Sequence, residues 1–457
     1  MRKPGLTSAE VDTAADRAFE QGSVARRAFA ETFGDLPPAI QADVELAASL
    51  DLLPAMLDVL GQLTGMGFVA MVRVTQAHWV ACAVRDTIHF GLQSGGELPV
   101  ATTLCSEVRD AALPIVIDSV AASPHWSTHA CPATYGFDSY LSMPIVLCDG
   151  TFFGTVCAID KRPAALVRSA ALLAAGTFAD AIGIYLHCHL QLERPGVEQS
   201  LRTLCLAPDQ TAHDDLLEQL RVPLQVIQPE LERLRHLPGE SLGNEVEQMA
   251  LLAPLARSVA ALSNQCANLF DLARLHGGQP LLLDVADREP LHELLKRAAD
   301  RIRIAHPERC VTLDIAPVGS GAHDANRLAQ ALCSLLLCAL RSADDRASIS
   351  VTGRQDAEPA AYRLSVACTG TALSSARIDA LFEPDWRAAH DPDAQRPLLA
   401  DGLGSGLYVA RQIAEAHEGR VTVARRQAGL RSELQVPTRS RTPAALAPDL
   451  CPSVNTA

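Results

Sequence analysis

Aromatic residues are scarce: Phe, Tyr and Trp together make up 4% of the 457-residue chain. A core short of rings must be filled by Ala, Leu and Val, which favours helices of small and straight-chain residues. Basic charge is short too, with 39 Lys and Arg against 53 Asp and Glu and a formal net charge of −14. That balance argues against bulk binding to nucleic acid or an anionic membrane, so no direct nucleic-acid partner is expected. The 13 Cys contain no CxxC pair. Odd-numbered, scattered thiols read as small buried apolar residues, neither a disulfide framework nor a zinc site, and no metal is expected. The apolar stretches Ala164–Ala175 and Thr177–Leu186 are broken by Arg168, Gly176, Asp180 and His187. None is expected to supply the roughly 20 residues of a bilayer span. The first residues carry Arg2 and Lys3 with no apolar core behind them, so no signal peptide is read and a cytoplasmic location is expected.

What is present is a globular composition, 48% hydrophobic and 20% charged, in a chain long enough for two to four domains at roughly 100–200 residues each. Residues 1–40 read as a helical leader. Residues 41–192 read as an α+β sensor module. Helical spacing runs from Asp43 to Thr64, followed by strand-like runs at Gly67–Val74, Trp79–Arg85, Ile115–Asp118, Tyr140–Leu147 and Phe152–Asp160, then an apolar helix at about Ala165–Leu192. After a linker at 193–208, heptad spacing appears in Leu217, Leu220, Leu224, Ile227, Leu231 and Leu234, and again in Leu252, Leu255, Val259, Leu262, Cys266 and Leu269. The pattern predicts a helical hairpin over 209–277 that leaves two apolar stripes poorly covered. A four-helix bundle from two chains would bury both, so a homodimer or heterodimer is expected. Pro223, Pro229 and Pro254 should loosen these helices.

Residues 278–440 read as a further mixed α/β domain, with helices at Pro290–Arg303 and Ala325–Ser342 and strands at Val311–Ile315, Ser348–Gly353 and Tyr362–Ala367. The tail 441–457, rich in proline, reads as disordered. A glycine loop at Asp401–Gly406, with Gly402, Gly404 and Gly406, is expected to open a helix running to His417. Free amides at a helix start can take phosphates, although a bare tight turn is equally consistent with the residues.

The surroundings of that loop are more specific. Leu381-Phe382-Glu383-Pro384 lies upstream and Ala414-Glu415-Ala416-His417-Glu418-Gly419-Arg420 downstream. Together they resemble the Phe-containing and glycine boxes of sensor histidine kinases, and the heptad hairpin resembles their dimerisation and phosphotransfer domain. Thr64–Phe68, Tyr135–Tyr140 and Asp149–Asp160 look like a GAF domain. The resemblance implies a multidomain α+β protein: a GAF sensor, a dimerising hairpin and a C-terminal ATPase-like α/β sandwich of the GHKL kind.

The residues the family's chemistry needs are largely replaced. Glu218-Gln219-Leu220-Arg221-Val222-Pro223-Leu224 aligns with the family's acceptor motif. Arg221 and Pro223 match, but Glu218 stands where the phosphoacceptor His is required, and a carboxylate lacks the nucleophilic imidazole nitrogen. His213 lies five residues earlier, turned by about 140° from that face, and reads as a solvated helix-start residue. Glu218 itself suggests a mimic of the phosphorylated state, a hypothesis that Glu218→Gln with unchanged partner output would sink. The family's asparagine box falls on Ser334 and Cys338, and a neutral thiol is a poor Mg²⁺ ligand. The Asp that should meet the adenine amino group is Cys368, followed by Gly370 and then Ala372 in place of glycine. Losing a hydrogen bond to a charged partner costs about 1.5–3 kcal/mol.

The resemblance with these losses implies a pseudokinase, with ATP and Mg²⁺ expected only if the pocket is compensated. It would relay a GAF-sensed signal to an active histidine kinase or a response regulator. Two other readings stay open: a divergent active histidine kinase, and a response-regulator phosphatase that uses Arg221 and Gln219. Within the GAF-like module, Cys105 is the candidate ligand or redox contact, against a half-buried core thiol; the small-molecule ligand is unknown. His125, His129 and Cys131 have ligand-like spacing but lack a visible fourth ligand, so metal is not expected there. Nothing in the residues specifically supports covalent bilin attachment.

Overall fold

The computed structural model describes residues 36–166, 170–192, 229, 231–235, 245–276, 278–281, 283–285, 290–317, 323–344, 347–356, 360–369, 382, 403–426 and 429–438. The acceptor-like segment with His213, Glu218, Arg221 and Pro223, the positions Gly370 and Gly402, the leader, the 193–208 linker and the tail beyond 438 lie outside them.

Helices α1 (Pro38–Ala48) and α2 (Leu53–Thr64) each carry a proline in the first turn, where the missing N–H has no helical partner to lose. The spacing predicts one helical stretch from 43 to 64. The structure breaks it at 49–52, where the Ser49 hydroxyl and amide turn back onto the carbonyl of Leu46. Helix α2 ends at Gly65, whose φ of +68° is the left-handed cap that favours glycine.

An antiparallel sheet follows, built from β1 (Phe68–Val74), β2 (Trp79–Asp86), β3 (Glu97–Leu98), β4 (Ile115–Ile117), β5 (Ser139–Val146) and β6 (Phe152–Asp160), in the order β3-β2-β1-β6-β5-β4. Its central strands are buried on both faces, which is why they read as unbroken apolar runs. Val69, Met71, Val156 and Ala158 face α1, α2 and α5 (Ala170–Leu192). Phe68, Ala70, Cys157 and Ile159 face the other way, under α3 (Cys105–Ala111) and α4 (Ala130–Tyr135).

Helix α5 corrects the hydropathy reading: Ala170–Gln191 is long and apolar enough, by length and composition, to cross a membrane. Its apolar side chains are used otherwise. Ala174, Phe178, Ile182 and Leu186 are buried in the core that α5 shares with the sheet.

Helix α6 (Glu245–His276) carries the second heptad series, with Pro254 inside it. Leu252, Leu255, Val259, Leu262 and Cys266 are all buried, in the same core as α5. This stripe is therefore covered within one chain and does not by itself demand a second. Of the first series, Leu231 and Leu234 are described, and they join that core.

The C-terminal domain stacks α7 (Leu291–Ala305), α8 (Ala325–Ser342) and α9 (Leu403–Ala416) on a sheet of β7 (Cys310–Ile315), β8 (Ser348–Asp356), β9 (Ala361–Thr369), β10 (Arg420–Arg426) and β11 (Gly429–Pro437). Strand order is β10-β11-β9-β8-β7, antiparallel except for the β7–β8 pair. Its core, with Leu332, Leu336, Leu364, Val409 and Leu434 fully buried, is separate from the sensor core, and Leu272 from the end of α6 reaches into it.

Candidate functional site

Three helices meet at the positions the glycine and asparagine boxes mark. Asp324 caps α8 by accepting from the Arg327 amide, and the helix then presents Arg327, Gln330 and Ser334 along one face. Helix α6 presents Asn264, Asn268 and Asp271 at matching i, i+4, i+7 spacing. The two faces form a polar ladder. Both oxygens of Asp271 accept from Arg327 Nη1, at 2.9 and 2.7 Å. Gln330 Nε2 donates to Asp271 at 2.8 Å and to Asn268 at 3.1 Å, and Ser334 Oγ donates to Asn264 Oδ1 at 3.3 Å. Asp271 and Asn268 are each only 2% exposed. Burial pushes the Asp271 carboxyl up from its ordinary range, and the Arg327 guanidinium pulls it back.

The glycine box closes the third side. The expected loop at 401–406 is already helical from Leu403, so Gly404 and Gly406 belong to the first turn of α9. A Cβ on Gly406 would sit 3.4 Å from Asn268 Nδ2 and from Ser334 Cβ and Oγ. Here glycine serves close helix packing. Phe382, from the Phe-containing box, lies under the Arg411 guanidinium of α9 at 5.5 Å. What remains between Asn264, Gln265, Ser334, Cys338, Arg341 and Gly406 is a cavity of about 10 Å³, room for one water. Cys338 is 2% exposed, and burial pushes its thiol up to about 11. Cys368 is buried on β9, its thiol raised by the same cause.

In the N-terminal module, Cys105 starts α3 and is 2% exposed, not half-buried. Its sulfur lies 3.3 Å from the Tyr140 hydroxyl, accepts from Thr155 Oγ1 at 3.4 Å, and is 3.9 Å from Ser142 Oγ. Strand pairing sets Cys157 opposite Ser142 on the same face. Of these, Cys105, Tyr140 and Cys157 border a cavity of about 40 Å³ whose other walls include Phe68, Trp79, Phe90, Tyr135 and Phe137.

Model matches fall on these two domains. Residues 50–186 match the GAF domain, and residues 323–440 match the family described as histidine kinase-, DNA gyrase B- and HSP90-like ATPase. The chain joins a GAF domain to a histidine kinase-like ATPase domain. It is 27% identical over 247 residues to a bacteriophytochrome of Pseudomonas aeruginosa, covering 49% of this chain and 33% of the relative. It is 29% identical over 216 residues to the probable sensor histidine kinase TcrY of Mycobacterium tuberculosis, covering 46% of this chain and 42% of the relative. Among solved structures, the catalytic domain of histidine kinase ThkA aligns at 18% identity and TM-score 0.27, over 33% of this chain and 94% of its own. The chain spans less than half the length of these curated relatives.

The ATPase domain's fold implies ATP with Mg²⁺, and the described residues do not fit that group. The asparagine-box positions are a hydrogen-bonded serine and a neutral buried thiol, and Cys368 offers no carboxylate to adenine. Elsewhere, His323 and His417 stack at 6.2 Å. His417 Nδ1 donates to the Ile413 carbonyl and Nε2 accepts from the Asp324 amide, fixing the end of α9 to the start of α8. Burial holds the His417 imidazole below its ordinary value.

In the GAF domain, His129 bonds Glu107 at 3.0 Å and accepts from the Cys131 amide, while Cys131 points into the aromatic cavity with its thiol pushed up to about 12 by burial. His125 packs edge-on against Trp126. Among the described residues no cluster suited to a metal occurs. The ladder residues of α6 escape sequence reading because polar side chains between heptad positions look like a solvated face. Their i, i+4, i+7 spacing is the signal that could have marked them.

Proposed function

We propose that the protein is a signalling member of the sensor histidine kinase family that has given up phosphotransfer: the GAF domain senses a small molecule or chemical state, and α5, α6 and the ATPase domain carry that state to a partner kinase or response regulator. The observation that carries this reading is the polar ladder from Asn264 to Asp271, which holds α6 against Ser334, Cys338 and Gly406, the positions the family uses for nucleotide. Replacement of the acceptor histidine by Glu218 and of the adenine-binding aspartate by Cys368 points the same way. Dimerisation through 209–277 rests on the first heptad series, since α5 covers the second. A cytoplasmic location fits the burial of α5.

Isothermal titration of the full chain with ATP and Mg²⁺ tests it, beside an active kinase core of the same fold. No heat at high micromolar nucleotide is the expected result. Saturable binding would overturn it and restore the reading of a divergent active kinase. Release of phosphate from a phosphorylated regulator would favour the phosphatase reading instead.

A further inference from the structure

We infer that Cys105 is a modification site for small neutral hydroperoxides, with Cys157 as the thiol that resolves the oxidised product. The inference rests on the sensing reading above and names its stimulus.

Three features of the cavity carry it. Hydrogen-bond donors converge on one sulfur: the Tyr140 and Thr155 hydroxyls at 3.3 and 3.4 Å, with Ser142 at 3.9 Å and the Cys157 thiol as a further hydrogen-bonding neighbour. Such a shell stabilises a thiolate without a cation, and the Cys157, Thr155, Tyr140 and Trp79 donors hold the Cys105 thiol below its ordinary range against its burial. Second, Trp79 lines the same cavity at 3% exposure, and its buried Nε1–H is a further donor beside the Cys105 sulfur. A donor beside an activated sulfur is placed to meet the oxygen of a bound ligand. Third, about 40 Å³ admits only a few heavy atoms. No charged side chain lines the cavity, so an anionic oxidant would be desolvated without compensation. The titratable groups lining the cavity with Cys105 are Tyr140 from β5, Cys157 from β6, and Cys131 and Tyr135 from α4.

The chemistry balances without a cofactor. The Cys105 sulfur attacks the nearer peroxide oxygen, the S–O bond forms as the O–O bond breaks, and the leaving oxygen departs as water or alcohol with the thiol proton. Sulfur loses two electrons and the peroxide gains them. The Cys157 sulfur then attacks the sulfenic sulfur, forming the disulfide and releasing water.

Hydrogen peroxide and the reduced full chain are the materials of the test. Dimedone capture on the Cys157→Ser chain should place a sulfenic acid at Cys105, and the unsubstituted chain should yield a Cys105–Cys157 disulfide. With exposed Cys310 as internal reference, Cys105 should be oxidised several-fold faster at pH 6. Tyr140→Phe keeps the ring, removes a donor, and should move the pH midpoint of oxidation upwards, which a packing role alone would not do. Oxidation confined to exposed Cys310 with Cys105 intact, or the same rate in the Tyr140→Phe chain, would overturn the inference. Normal oxidation of Cys105 with unchanged amide exchange in α5 and α6 supports the site and counts against the relay reading, so the two fail separately.

Discussion

Asp271 and Arg327 show how much a single pair can matter when both partners are shielded. Their side chains are 3% and 15% exposed, so removing one leaves a shielded charge with only the neutral Gln330 amide bonded to it. Arg327→Ala should cost about 3–5 kcal/mol, whereas replacing both by apolar residues of similar volume should be near neutral. Urea unfolding of the two variants checks this, and equal losses would show that the pair's charge is not what matters. His417 adds a pH dependence. Its folded pKa lies below the unfolded one, so at mildly acidic pH the unfolded chain binds the proton first. Stability from this residue is complete above the ordinary histidine value and declines as pH falls through and below it. His417→Gln should flatten the thermal midpoint of the ATPase domain between neutral pH and about pH 5; an unaltered slope would assign the dependence to other groups.

Among the elements, α6 carries the most information. Pro254 interrupts its hydrogen-bond ladder inside a helix of 32 residues. Pro254→Ala should therefore raise stability, by up to about 3 kcal/mol; a loss would mean that the bend is needed for packing on α5. Leu255→Ala, at 1% exposure, should cost about 2–5 kcal/mol. The elements also show what the sequence made legible. Strands β1, β2, β5 and β6 and helix α8 followed directly from period and turn residues. The break between α1 and α2 did not, because Leu50, Leu52 and Leu53 keep apolar spacing across it. Two-residue β3 is too short to leave a period at all. The Cys105 environment was invisible for another reason: its donors come from β5 and β6, tens of residues away in the chain.

For the whole molecule, the boundary between cores does not follow the boundary between domains. The first half of α6 is built into the GAF core and its last turns reach the ATPase core. Amide exchange should therefore show residues 252–266 protected together with the GAF sheet, not with β7–β11; protection tracking the C-terminal sheet would refute that partition. An ion pair, Asp180 on α5 with Arg301 on α7 at 2.5 Å, ties the two domains directly.

Helix α5 has a consequence for how the chain is made. Every strand of the GAF sheet, from Phe68 to Asp160, precedes Ala170, so a ribosome delivers the docking surface before it delivers the helix. A segment apolar enough to suit a bilayer thus emerges next to a finished apolar face that can take it, and local docking competes with targeting and aggregation from the first moment. A circular permutant that places α5 ahead of β1 would keep the same folded contacts and lose that protection of timing.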